Sequence, residues 1–156
     1  GGVVTLVDDT YNANPDSMRA AIDVLAELPG PRLLVLGDMG EVGDQGLDFH
    51  LEVLRHASAR GLNDVHVAGD WMQRACEALR ATGEQVPQHW ADVVQLAAHL
   101  AQLPASGALP WPVRSVLVKG SRFMRMERVV QALMALSSST GVSQNQNNNK
   151  DNVHAA

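Results

Sequence analysis

The chain has 156 residues, 46% of them hydrophobic, which is enough to bury one substantial core and gives no reason to expect two. Its formal charge of −5, from 12 basic and 17 acidic residues, excludes a sequence-independent nucleic-acid binder, because such proteins need a basic face to displace phosphate counterions. The single cysteine, Cys76, excludes an intramolecular disulfide; with no charged-then-apolar leader before the first strand-like run and no apolar run of membrane-spanning length, a reducing cytoplasm is the expected compartment.

Short β-branched runs alternate along the chain with stretches of helical period, the pattern of βα units around a largely parallel sheet. Val3–Val7 is continuously apolar, as suits a strand covered on both faces. Asp16–Glu27 follows as a helix, with Met18, Ala21, Ile22 and Leu25 at spacings of three and four, ending before Pro29-Gly30. A strand over Arg32–Leu36 precedes a helix over Leu47–Arg60 that Gly61 ends. A strand over Asp64–Ala68 precedes a helix over Trp71–Ala81. Gln85–His89 is a weaker strand, and Pro87 inside it points to an edge position. A fourth helix is expected over Ala91–Leu103, then a stiff loop over Pro104–Pro112 and a strand over Ser115–Val118. The last helix is expected over Phe123–Leu136, with Phe123, Met126, Val129, Val130 and Leu133 on one side. These elements make a three-layer α/β domain of about five strands and five helices over residues 1–136. Beyond Leu136 the sequence turns to Ser, Asn and Gln, which bury too little apolar surface to offset ordering entropy, so 137–156 is expected to be a disordered tail.

In open α/β sheets ligands bind beyond the carboxyl ends of the strands, so the segments just after each strand carry the functional information. Three stand out: Asp8-Asp9-Thr10-Tyr11-Asn12-Ala13-Asn14-Pro15-Asp16-Ser17, the glycine-rich Gly37-Asp38-Met39-Gly40-Glu41-Val42-Gly43, and Lys119-Gly120-Ser121-Arg122. Each has a plainer reading: Asp16 or Ser17 can cap the first helix, and Asn, Asp and Gly are common in turns. Their occurrence at the same end of the expected sheet favours a site. Lys119 leaves a buried strand and Arg122 opens the last helix, whose N-terminal amides favour an anion, so a phosphate or carboxylate suits that loop. Arg125 and Arg128 read better as the solvated side of the helix. His50 reads as an ordinary partly buried histidine, Cys76 as core packing, and no other histidine has ligand-like spacing. Neither G-x-x-x-x-G-K-[ST] nor G-x-G-x-x-G follows a strand, which speaks against a free-standing NTPase or a dehydrogenase.

Taken together the three loops resemble the Mur ligases, in their dipeptide-adding branch. Asp8-Asp9-Thr10-Tyr11-Asn12-Ala13-Asn14-Pro15 with Ser17 resembles that family's D-D-[ST]-Y-N-A-N-P-x-S element. Leu36-Gly37-Asp38-Met39 with Glu41 and Gly43 resembles its L-G-D-M-x-E-L-G loop, Val42 replacing a leucine, and His50 falls where the family has a histidine. Val116–Arg122 with Met126-Glu127 resembles its V-L-V-K-G-S-R element. The resemblance covers residues 1–136 and implies the Rossmann-like C-terminal domain of a three-domain enzyme, with a mostly parallel sheet of six strands. It implies an ATP- and Mg²⁺-dependent amide ligase that adds D-alanyl-D-alanine to UDP-N-acetylmuramoyl-tripeptide in peptidoglycan precursor synthesis, as a cytoplasmic monomer. The last domain closes over the site held by the N-terminal and central domains. The resemblance places Asp9, Tyr11, Asn12 and Asn14 on the ATP side of the cleft and Asp38, His50, Lys119, Ser121 and Arg122 on the acceptor side. It places the P-loop, the metal-binding residues and the modified lysine upstream of Gly1, so the chain alone is expected to be inactive and to hold no metal. The competing readings are another Mur or folylpolyglutamate-type ligase domain, and a metal-dependent phosphoesterase built on Asp8, Asp9, Asp38 and His50.

Overall fold

A computed structural model of the chain describes residues 5–10, 13–106, 113–137 and 143–145. The strands and helices alternate: β1 (Thr5–Asp9), α1 (Pro15–Glu27), β2 (Arg32–Gly37), α2 (Gly46–Ala59), β3 (Val65–Ala68), α3 (Asp70–Ala81), β4 (Gln88–Trp90), α4 (Val93–Ser106), β5 (Ser115–Lys119), α5 (Glu127–Ser137) and β6 (Ser143–Asn145). Short 3₁₀ turns at Gly43–Gln45 and Arg122–Met124 precede α2 and α5. The strands form one sheet in the order β4-β3-β2-β5-β1-β6, and every pairing in it is parallel. Among the described residues no helix is long and apolar enough to cross a membrane.

The strand order fixes where the loops emerge. From β2 to β4 the strands are laid down in one direction; β5 then returns between β2 and β1, so its C-terminal loop opens at the middle of the sheet edge. Strand alternation divides the apolar side chains between two cores. Leu34, Leu36, Val67 and Leu117 face a core shared with α1, α2 and α3, through Met18, Ile22, Leu25, Leu54 and Met72. Leu33, Val35, Val116 and Val118 face a second core, closed by Leu96 and Leu100 of α4 and by Val129, Val130 and Leu133 of α5. The edge position expected from Pro87 is where β4 sits, with the strand starting just after that proline.

Most element boundaries differ from the sequence reading by one to four residues; β1, for example, runs two residues past its expected end to Asp9. The helix expected over Phe123–Leu136 is interrupted: after the 3₁₀ turn Arg125 adopts φ 52°, ψ 48°, and the α-helix starts only at Glu127. Phe123 therefore leaves the apolar stripe and is 66% exposed, while Met126, Val129, Val130 and Leu133 stay buried. The helix α4 runs to Ser106, past the start of the loop expected at Pro104; residues 107–112 lie outside the described ones. In the segment expected to be a disordered tail, Ser143–Asn145 pairs with Thr5–Val7 as the sixth strand, and the rest of 138–156 lies outside the described residues.

With α5 seated, both described cores are closed, and β6 adds three residues of edge pairing. A chain ended after Ser137 is expected to melt within about 4 °C of the full chain, equivalent to roughly 1 kcal/mol. A fall of about 10 °C or more would show that the segment beyond α5 packs into the fold.

Candidate functional site

Because all strands are parallel, their C-terminal ends lie on one edge, and the three polar loops meet there. In the first loop Asp8 accepts a hydrogen bond from the Thr10 hydroxyl at 3.0 Å. Asp9, at the last position of β1, accepts from Lys119 Nζ at 2.8 Å. Asn14 is the N-cap of α1: its side chain accepts from the Ser17 amide at 2.9 Å while Ser17 Oγ accepts from the Asn14 amide at 3.1 Å, with Pro15 in the first turn. The cap is thus Asn14 with Ser17 in return, and Asp16 instead joins Arg19, which also reaches Glu52 of α2. Tyr11 and Asn12 lie outside the described residues.

The second loop is anchored on every side. Asp38 is buried, and its two carboxylate oxygens accept from the first-turn amides of α3, Trp71 at 3.0 Å and Met72 at 2.9 Å. Its carbonyl accepts from the Ser121 amide at 2.9 Å, tying the second loop to the third. This carboxylate lies over Gly69, whose φ is 118° and whose Cβ, if it had one, would occupy the carboxylate's place. His50 is fully buried; its Nε2 accepts from the Met39 amide at 3.0 Å and its Nδ1 donates to the Gly46 carbonyl at 2.6 Å. Those partners require the neutral ring with its proton on Nδ1. Burial holds the His50 pKa below its ordinary value, against the opposing pull of the Gly46 carbonyl and of Asp38, whose Oδ1 lies 3.9 Å away. Burial likewise raises the Asp38 pKa, against its two amide hydrogen bonds and His50. Trp71 stacks on the histidine ring at 5.9 Å, with the Arg74 guanidinium 4.8 Å from the indole.

The third loop is held close by small residues. A Cβ on Gly120 would come within 2.6 Å of Met126 Cγ and 3.2 Å of Gly37 Cα, so only glycine lets this loop lie against the second. Lys119 is buried on the sheet and bonded to Asp9. Ser121 is buried too, and its hydroxyl is the one buried side-chain polar atom among the described residues that lacks a hydrogen-bond partner. Arg122 is exposed and begins a three-residue 3₁₀ turn; it does not open the α-helix as its position suggested, so a helix N-terminus gives it no help with an anion. Beside this turn a groove of about 320 Å³ runs along the strand ends, lined by Asp38, Gly69, Asp92, Phe123, Arg125 and Arg128 among others. Arg125 and Arg128, expected to be merely solvated, are part of its wall. Glu41 and Arg125 are the two non-glycine residues with positive φ among those described, and each sits in a loop of this edge.

The sequence reading missed Gly69 and Trp71. A glycine directly between a strand and an acidic helix start is the one local signal for Gly69, and nothing local marks Trp71 as the cover of His50.

The family model for the Mur ligase, glutamate ligase domain, matches residues 1–122. The chain belongs to the Mur ligase family. It is 43% identical over 128 residues to the UDP-N-acetylmuramoyl-tripeptide–D-alanyl-D-alanine ligase of Escherichia coli (strain K12), a match covering 82% of this chain and 26% of that protein. The ligase of the same name from Haemophilus influenzae is 37% identical over 82% of this chain and 27% of its own length. A crystal structure of MurF from Acinetobacter baumannii superposes with a TM-score of 0.72 at 32% identity, covering 86% of this chain and 29% of that one. MurF from Thermotoga maritima in complex with ADP has a TM-score of 0.62 at 22% identity, covers 83% of this chain and 28% of that one, and shows the shared fold. The chain spans about a quarter of the length of the curated relatives it matches.

In this Mur ligase domain the second loop is a rigid frame, and two measurements test that. Gly69→Ala is expected to destabilise the chain by about 2 kcal/mol or more, since the methyl group must displace a buried, doubly bonded carboxylate and the φ suits only glycine. A change under about 0.5 kcal/mol would mean Asp38 is not fixed there. For His50, the folded pKa lies below the ordinary 6.5, so the unfolded chain takes up the proton first and stability drains away as pH falls from about 6.5. Asp38, with its raised pKa, acts in the opposite sense as pH falls through its folded value. His50→Gln should therefore melt at a lower temperature but lose less stability than the parent between pH 7 and about pH 5.5. Equal slopes would show that His50 does not titrate as a buried neutral ring.

Proposed function

We propose that this chain is the terminal domain of an ATP-dependent amide ligase that joins D-alanyl-D-alanine to the carboxylate of UDP-N-acetylmuramoyl-tripeptide, and that its strand-end loops bind the dipeptide and complete the nucleotide site. The observation that carries the acceptor half of this reading is the buried, unpartnered Ser121 hydroxyl beside Gly40 and Phe123. A buried hydroxyl without a partner loses a hydrogen bond for nothing unless a ligand supplies one. The adjoining groove has the volume for a dipeptide, with Arg125 and Arg128 in its wall for a carboxylate and Phe123 at its side for methyl groups. The names of the relatives agree with this chemistry.

Of the nine residues singled out in the sequence, eight divide between the acceptor and nucleotide sides in this proposal, and Lys119 is bonded to Asp9. Ser121 and Arg122 contact the dipeptide. Asp38 and His50 are both committed to internal hydrogen bonds; Asp38 forms part of the groove wall and His50 supports it from behind. Asp9 faces the nucleotide, Asn14 caps α1, and Tyr11 and Asn12, which lie between them in the sequence, serve the same side in this proposal.

ATP supplies the activating phosphoryl group when bound; the residues of this chain orient and enclose. The fit of Mg²⁺ to the described residues is poor. Asp38 has both oxygens on amides, Asp9 is on an ammonium and Asp8 on a hydroxyl, and no three of the described His, Cys, Asp and Glu residues come together as ligands. No step is assigned to a metal held here. The same geometry disfavours the phosphoesterase, whose centre would have required Asp38 and His50 to face a substrate.

In a complete ligase carrying this domain, Arg122→Ala is expected to raise the KM for D-alanyl-D-alanine roughly tenfold while changing that for ATP less than about twofold, the loss of one charge-assisted contact at an exposed site. Arg122→Lys should fall between, keeping the charge and losing the planar fork. Equal changes for both substrates would make Arg122 a closure contact and refute its place at the acceptor.

A further inference from the structure

We infer that Lys119 is a positioning residue for the nucleotide side of the site, acting as a buried strut that holds the Asp9 carboxylate at the mouth of the cleft, and does not bind the acceptor. Lys119 ends β5, the strand set between β1 and β2, in register with Asp9 on one side and Leu36 on the other. Alternation along β5 puts Lys119 on the same face as Leu117, toward the core under α1, and its residue exposure is only 2%. An ammonium this far from water is tolerated only with a compensating charge. It finds one in Asp9, Nζ to Oδ2 at 2.8 Å, while the Asp9 side chain stays 41% exposed at the sheet edge.

The asymmetry of that pair assigns the roles. One partner is sheathed by the sheet and the other reaches the sheet edge, so the aspartate is the member of the pair placed to meet a ligand. For Lys119 to meet a dipeptide directly, its side chain would have to leave the core and strip Asp9 of its bond. As a strut it restricts the aspartate to one rotamer, so that nucleotide binding need not first order this side chain. A residue kept only for packing would be replaced without functional loss by methionine, which has nearly the same shape and no charge.

The inference rests on the ligase reading above, and the experiment separates the two. In the complete ligase, Lys119→Met is expected to raise the KM for ATP about tenfold with less than a twofold change for D-alanyl-D-alanine. Asp9→Asn, which leaves the buried stem untouched, should do the same, and the double variant should be no worse than the more affected single one. A rise confined to the dipeptide KM, no change in either KM, or effects that multiply in the double variant would overturn the strut. If the parent ligase forms no amide from these substrates, the proposed function fails. The strut is then judged in the 156-residue chain by the same three variants: melting shifts that do not add support it, and additive shifts overturn it.

Discussion

A carboxylate withdrawn from water at the end of a central strand must be compensated on all sides, and Asp38 takes its compensation from the first amides of α3. That one arrangement sets much else in the site. It requires a residue without a side chain where β3 leads into α3, which is Gly69. It brings the carbonyl of the same residue to the Ser121 amide, so the loops after β2 and β5 move as one body. The next amide along, that of Met39, is taken by His50, which is itself held by the Gly46 carbonyl and covered by Trp71. Each group in the series satisfies a polar atom that burial would otherwise leave bare.

Much of this was legible in the sequence and part was not, for identifiable reasons. Helices with an apolar stripe at three and four, such as Met18, Ile22 and Leu25, could be placed because a single period decides which face is buried. Strand order could not, because nothing local in Ser115–Lys119 says that it inserts between β1 and β2. The interruption before α5 was missed because Arg125 in the left-handed region has no sequence mark; an arginine there is sustained by its surroundings. The cap of α1 was misplaced by two or three residues, from Asn14 to Asp16 or Ser17, since all three are capping types and only geometry selects among them.

The site residues show the same division. Clustering of polar residues after strands placed the three loops at one edge of the sheet, where they meet, yet it could not tell an exposed group from one that frames the loop. Asp38 and Lys119 have the residue types of a binding site, and the fold gives both buried side chains internal partners, one on helix amides and one on a carboxylate. Arg125 and Arg128, which periodicity assigned to solvent, are exposed as expected and also stand in the wall of the groove.

This distribution of polar groups has a mechanical consequence. Asp9, Ser121 and Arg122, the residues proposed to serve the cleft, are each tied to a group fixed in the interior: the first to Lys119, the second to the Asp38 carbonyl, and the third through the Ser121–Met124 backbone bond at 3.0 Å that closes its turn. Loops attached in this way have little freedom of their own, because moving any of them breaks a buried hydrogen bond. In the proposed ligase, closure over substrates held elsewhere would then be a rigid-body movement of the whole edge, with the three loops arriving together. Under that proposal the energy for selecting substrates comes from the few exposed side chains at that edge, while the buried ones keep their spacing constant during the approach.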